Sequence, residues 1–319
     1  MMNATAFDSE LFESYKPGLT SFCYRMLGSF DDADDAVQET YIRAWQSWSS
    51  FREDSSFKTW VYRIASNLCI DKLRQAKRRT LPVDLNDPAA AIIAPTETLP
   101  DSAWVWPAPD FGHNPEDVLV RKDTLQLCFI ALLQTLPPRQ RAVLILKDVF
   151  EWTSKQIAES LGMSPAAANS ALQRARETLE RTQLRSDEFS KMETKPDPDL
   201  LSRYVEAFER FDINALVALF HEEGCMSMPP FPMWIRGQED LAKFYEITRW
   251  HCVGSKFLPV TVNGGYPALA QYMPSKESSV LVPWGIHVIE VKDNRVFHVQ
   301  NFINAKLFAR LGLPEQIHR

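Results

Sequence analysis

Between residues 7 and 80 the apolar positions recur at helical spacing, and no proline interrupts them after Pro17. In "DDADDAVQETYIRAWQSW" the residues Ala36, Val37, Thr40, Tyr41, Ala44, Trp45 and Trp48 fall on one stripe, which predicts a helix with a buried face. Asp31, Asp32, Asp34 and Asp35 lie in its first turns, where the helix dipole favours negative charge. "SFKTWVYRIASNLCIDKLRQAKRR" predicts a second helix. Its stripe is Phe57, Trp60, Val61, Ile64, Leu68 and Leu73, and it runs into a basic end. Helices are expected again over 116–185, opened by the cap Asn114-Pro115-Glu116-Asp117 and broken at Leu136-Pro137-Pro138. After one more helix, at about 199–214, the period changes to that of strands: "GCMSMPP", "SKFLPVTVNG", "ALAQYM" and "SSVLVPWGIHVIEVKDNRVFHVQNFI". The last contains a hairpin turning at "KDNR".

Composition adds the joints. Residues 81–115 hold five Asp or Glu, several prolines and no Lys or Arg, which reads as an extended acidic linker. "SDEFSKMETKPDPD" reads as a second linker. At 319 residues the chain has room for two or three domains. Its start lacks the pattern of a signal peptide, and no apolar run approaches the ~20 residues of a membrane span, so a cytoplasmic place is expected. Five scattered cysteines show no zinc-ligand spacing and read as buried thiols. The net charge of −6 means that any nucleic-acid role rests on local patches.

Three constellations carry chemistry. "TSKQIAESLGMSPAAANSALQRARETLE" has the grammar of a helix-turn-helix: Ile157, Ala158 and Leu161 inward, Gly162 at the turn, Ser164 as cap and Pro165 at the first position. On its second helix Ala168, Leu172, Ala175 and Leu179 are expected inside. Ala166, Ser170, Gln173, Arg174, Glu177 and Arg181 are expected outside, with Asn169 on a flank. A plain helical hairpin is the alternative. Next, Trp48, Phe51, Phe57, Trp60 and Tyr62 interleave with Arg52, Lys58 and Arg63, and "DKLRQAKRR" adds cations. Single-strand capture uses such a mixture, although a packed aromatic core uses the same aromatics. Last, Asp34, Asp35, Gln38 and Glu39 form an acidic face, which is either a partner surface or a solvated one.

Taken together, "DADDAVQETYIRAWQSWSSFREDSSFKTWVYRIASNLCIDKLRQAKRR" resembles domain 2 of bacterial sigma-70 family factors of the extracytoplasmic function class. "LQTLPPRQRAVLILKDVFEWTSKQIAESLGMSPAAANSALQRARETL" resembles their domain 4. The remainder resembles the SnoaL-like α+β cone domain appended in one subgroup, through "FHEEGCMSMPPFPMWIRGQEDLAKFY" and "FINAKLFARLGLP". The resemblance implies a multidomain fold. Two all-α sigma domains (a domain 2 helical bundle over 7–80 and a domain 4 helix-turn-helix over 116–185) are joined by the acidic linker 81–115 and followed by a cone domain over 197–319. It also implies roles. Asp34, Asp35, Gln38 and Glu39 would bind core RNA polymerase. Phe51, Ser55, Ser56, Phe57, Lys58, Arg63, Asn67 and Arg74 would melt and read the minus-10 element of promoter DNA. Ser164, Ala166, Asn169, Ser170, Gln173, Arg174 and Arg176 would meet the minus-35 element. The linker would follow the polymerase's RNA path. Family recognition helices commonly carry Lys or Arg near Asn169 and Ala171. Their absence here leads us to expect a weaker, less electrostatic minus-35 contact.

In the cone domain His221, Asp240, His251, His287, Glu290 and His298 are the candidates for proton chemistry. His287 and Glu290, three apart on one strand, should point to opposite faces. No catalytic residue, metal or cofactor is assigned, and a small-molecule or protein ligand of this domain is left open. The subgroup implies that the cone domain regulates the sigma domains by docking on them, with the "INAKLFARLGLP" tail as a candidate contact. Two other functions stay in view: a helix-turn-helix regulator acting without polymerase, and a cyclase- or isomerase-like enzyme carrying a DNA-binding module.

Overall fold

The computed structural model describes residues 7–51, 56–90, 97–110, 125–183, 196–275 and 279–318. Ser55, Arg52, the helix start at 114–117 and most of the second linker lie outside them. The chain forms two units, Met1–Arg79 with Phe111–Ser186, and Thr80–Asp110 with Asp187–Arg319.

The first unit is helical. Asp8 caps α1 (Ser9–Leu27), which ends at Gly28 in the left-handed region, φ 70°. Ser29 caps α2 (Phe30–Gln46), and Ser56 caps α3 (Phe57–Gln75). Then follow α4 (Leu127–Leu133), α5 (Pro138–Leu144), a wide turn over Ile145–Val149, α6 (Ser154–Leu161) and α7 (Pro165–Gln183). The buried face of α2 is Ala33, Ala36, Val37, Thr40 and Ala44. Trp45, expected in this stripe, is instead 61% exposed. It lies 100° round the helix from Ala44, beyond the edge of a face that the 4-3-4 spacing already fills.

The two sets of helices share one core. Tyr62 of α3 packs on Phe150 and Trp152, with ring centroids 5.7 and 5.1 Å away. Arg141 of α5 is buried and donates to the Met26 carbonyl at the end of α1, to Gln134 Oε1 (2.6 Å) and to the carbonyls of Gln134 (3.0 Å) and Leu136 (3.1 Å). Burial pulls its pKa down to about 9, which still leaves it a cation at neutral pH, held by helix-end carbonyls.

The second unit is the expected cone. Helices α8 (Pro198–Glu209), α9 (Ile213–Ala218), α10 (Gln238–Ile247) and α11 (Arg249–Cys252) accompany a mixed sheet of β1 (Phe220–Ser227), β2 (Trp234–Arg236), β3 (Lys256–Val262), β4 (Tyr266–Pro274), β5 (Val280–Lys292), β6 (Arg295–Phe302) and β7 (Ile317–His318). The order is β2-β1-β6-β5-β4-β3, with β7 beside β5, and only β1 and β6 run parallel among these pairs. The β5–β6 turn uses Asp293 and Asn294 at φ 51° and 56°, the conformation that a two-residue hairpin loop requires. On the helical side Tyr204, Phe208, Met226, Ile289 and Val299 share the core. The tail folds into this unit: in α12 (Lys306–Arg310) Leu307 and Phe308 are buried, and Phe308 packs on Tyr272.

The acidic segment is not a free connector over its described residues. Asn86 Nδ2 donates to the Pro232 carbonyl (2.7 Å), and Trp234 Nε1 donates back to the Asn86 carbonyl (2.7 Å). Leu99 N–H meets the Pro230 carbonyl (3.0 Å), and Ala108 exchanges two hydrogen bonds with Asn263. Asp110 accepts from Thr261 Oγ1 (2.9 Å) and Gly265 N–H (2.7 Å). These anchors run from β2 to the β3–β4 turn, and Trp106 packs on Phe302 of β6 (5.9 Å) between them. The segment therefore crosses the sheet face opposite the helices, with Trp104, Val105 and Ala108 fully buried. Its acidic composition had suggested solvation; its tryptophans supply apolar anchors strong enough to seat it.

Candidate polymerase and nucleic-acid interfaces

Each constellation has a structural place. On α2, Asp35 and Gln38 are exposed, and Asp34 and Glu39 are half-buried. Gln38 Nε2 donates to Asp34 (2.7 Å), and Arg43 pairs with Glu39 (2.8 Å). The acidic row continues into Ile42 and Trp45, 45% and 61% exposed. Together with Leu68 and Lys72 of α3, part of this row lines a shallow cleft of about 480 Å³. Exposed large apolar side chains beside charges mark a protein contact better than charge alone. Sequence reasoning missed Ile42, and it placed Trp45 inside.

The start of α3 is held by rings. Trp48 stacks on Phe51 (5.2 Å, 14°), Phe51 meets Trp60 (4.9 Å), and Phe57 meets Trp60 (5.9 Å) and Phe7 (6.4 Å). These aromatics pack Phe51 against the start of α3, where Ser56 Oγ accepts from Thr59 N–H (3.1 Å). Their first role is to pack on one another at the start of α3, and each of these rings is half-buried. Farther along, Arg63, Asn67 and Arg74 are exposed at i, i+4 and i+11, which is one face of the helix. Arg74 pairs with Asp71 (3.0 Å), whereas Arg63 makes no ion pair among the described residues. Lys58 is half-buried. Of the basic end, Arg79 is spoken for: it pairs with Asp32 at 2.5 Å and is nearly buried.

The helix-turn-helix is built as its sequence requires. Thr153 and Gln156 form a reciprocal cap on α6, Gly162 turns at φ 61°, and Ser164 Oγ accepts from Ala167 N–H (3.2 Å). Ala168, Ala171, Ala175 and Leu179 are buried, while Leu172 is only half so. Ala171 thus corrects one expectation, because a cation there would point into the core. Ser164, Ala166, Asn169, Ser170, Gln173, Arg174 and Arg176 are all exposed. Besides the Ser164 cap, three of them spend side-chain groups within the protein. Asn169 Oδ1 accepts from Ser154 Oγ (2.7 Å), Gln173 donates to Glu177 (3.0 Å), and Arg176 grips Asp148.

The cone domain holds two buried polar chains on opposite sheet faces. Because Gln271 Oε1 can only accept, His287 Nε2 carries the proton toward it (2.9 Å), and Nδ1 accepts from Tyr204 Oη (3.2 Å). Gln271 Nε2 passes on to Ser255 Oγ (3.1 Å). Burial pushes His287 down to about 3, so it is neutral at physiological pH. On the other face Ser227 Oγ, His298 and Glu290 stand in line at 2.9 and 3.1 Å. Nucleophile, base and orienting carboxylate occur in that order in acyl transfer, but here all three are buried. The spacing argument for His287 and Glu290 therefore agrees with the structure, although Ser227 escaped it. Of the other candidates, His221 faces Asp293 (3.9 Å), Asp240 faces Lys243 (3.4 Å), and His251 stacks on Trp284 (4.9 Å).

Comparison with known proteins now decides the family. Residues 11–79 match the family model Sigma-70 region 2, 126–179 match Sigma-70, region 4, and 199–256 match the Nuclear transport factor 2 (NTF2) domain. The chain is 38% identical, over 310 residues, to the ECF RNA polymerase sigma factor SigG of Mycobacterium tuberculosis; the match covers 96% of this chain and 83% of SigG. The chain belongs to the extracytoplasmic function sigma factors. Bacillus subtilis SigW, another such factor, is 35% identical over 56% of this chain and 88% of its own. The crystal structure of M. tuberculosis SigJ has the same fold, with a TM-score of 0.60 at 21% identity, over 96% of this sigma factor and all of SigJ. Among the described residues no helix is long and apolar enough to cross a membrane.

Proposed function

We propose that the protein binds core RNA polymerase, recognises and melts promoter DNA, and is regulated by its own C-terminal domain. The acidic and apolar row Asp34, Asp35, Gln38, Glu39, Ile42 and Trp45 is the polymerase surface. The 51–57 loop with Lys58, Arg63, Asn67 and Arg74 opens and reads the minus-10 element. The exposed face of α7 meets the minus-35 element. One observation carries this reading: α2 and α3, packed side by side, present an exposed acidic and apolar row and an exposed face bearing Arg63, Asn67 and Arg74 from the same small domain. A repressor has no use for the first of these.

Two features of the structure support regulation. About 25 base pairs, roughly 85 Å at ~3.4 Å each, separate the two promoter elements, whereas α3, with 19 residues, spans only about 28 Å and shares a core with α5 and α6. The first unit must therefore open before it reads both elements, and the Arg141 contacts are what must part. In addition, the segment that would follow the RNA path in polymerase is held by the C-terminal sheet. Run-off transcription with core polymerase tests the reading, comparing full-length protein with protein cleaved near residue 190. A specific transcript is expected from both, with altered yield after cleavage. No specific transcript would overturn the function, and an unchanged yield would overturn the regulatory part.

A further inference from the structure

The recognition helix carries two neighbouring arginines in unlike circumstances. Arg174 projects from the exposed side with Ala166, Ser170 and Gln173, and it makes no ion pair among the described residues. Arg176, 200° farther round, closes a two-point contact with Asp148: Nη2 to Oδ1 at 2.6 Å and Nε to Oδ2 at 3.2 Å. Asp148 stands in the wide turn over Ile145–Val149, before the helix-turn-helix begins. Seven residues up the helix, and so on the same flank, Asn169 is tied to Ser154. This flank faces the protein's own scaffold.

We propose that Asp148 sets the strength of the minus-35 contact by holding Arg176 away from DNA, so that α7 engages with Arg174 as the working cation of the pair. The inference rests on the reading of α7 as the minus-35 helix. An arginine closed on a carboxylate presents no net charge, and approaching phosphates release no counterion on its account. The fork geometry satisfies the Nε and Nη2 donors that a phosphate would otherwise take. Yet the pair is at the surface, with side chains 54% and 34% exposed, so its opening leaves the core intact. Asp148 is then a positioning residue: it acts on DNA through Arg176 and touches none itself.

The test is the salt dependence of promoter binding by the polymerase holoenzyme, on a promoter selected from a random pool with the wild-type protein. Arg174→Ala should lower the slope of log K against log salt by about one, the share of one phosphate contact. Arg176→Ala should leave the slope unchanged. Asp148→Asn should raise it by about one, Asp148→Glu should restore the wild-type slope, and Asp148→Asn with Arg176→Ala should also return to the wild-type value. A lowered slope in Arg176→Ala would show Arg176 already on DNA and overturn the proposal. So would a gain in Asp148→Asn that survives removal of Arg176, since that is mere loss of a negative charge. If Arg174→Ala has no effect either, the minus-35 assignment of α7 falls, and the proposal with it.

Discussion

The two helices proposed to read DNA in this sigma factor are equipped in opposite ways. On α3, Arg63 and Asn67 lie on an exposed face, where neither side chain makes a hydrogen bond or ion pair among the described residues, and a cluster of rings packs at the helix start. On α7 the leading positions are Pro165, Ala166 and Ala167, and Asn169, Gln173 and Arg176 all spend hydrogen-bonding groups on the protein itself. On the proposed reading, the difference means that one end of the promoter contact is built for energy and the other for placement. A helix so poor in free cations serves when polymerase already holds it over the DNA.

The comparison can be broken in several ways. The largest effect should come from α3: Arg63→Ala with Asn67→Ala should cut open-complex formation at least about tenfold, since each base contact of this kind is worth about 1–3 kcal/mol. Permanganate footprinting of melted thymines measures it. Next, Arg141→Leu should cost about 3 kcal/mol of stability in the helical unit by stripping carbonyls of a buried charged donor. Chemical denaturation followed by tryptophan fluorescence reads that loss, and an unchanged midpoint would mean that the shared core does not depend on this contact.

A pH titration separates the reading helices from the cone domain, because neither α3 nor α7 contains a histidine. Promoter binding should be flat between pH 6 and 8 on their account. The cone domain should not be flat. His287 has a folded pKa of about 3 against roughly 6.5 unfolded, so the unfolded chain binds the extra proton between these values. Its stabilising share is complete above about pH 6.5 and is lost as pH falls toward 3, at about 2 kcal/mol between pH 7 and 5. His287→Gln should flatten that part of the denaturation profile. The smallest effect is expected from Arg174→Ala, which should make binding only about threefold less sensitive to salt between 50 and 200 mM.

Sequence carried what is local. The turn at Gly162, the cap at Ser164 and the Asp293-Asn294 hairpin depend on residues within four positions of one another, and the structure has them all. The contacts that alter the functional picture are distant in sequence. Asp148 lies 28 residues from Arg176, and Asn86 lies 148 from Trp234. Ser227, Glu290 and His298 meet only because β1, β6 and β5 are adjacent. No periodicity reports such pairings. Trp45, and in part Leu172, were misplaced for another reason. Each sits at the margin of a helical stripe, where one residue is 100° of rotation and the boundary is set by the width of the neighbouring helix.

One measurement tests the unequal division of labour most directly: run-off transcription at 150 mM salt with core polymerase and three proteins, the wild type, Arg63→Ala/Asn67→Ala and Arg174→Ala. The account predicts a specific transcript from the wild type, a loss of about tenfold or more for the α3 pair, and a loss of no more than about threefold for Arg174→Ala. Equal losses, or a greater loss from the α7 change, would contradict it.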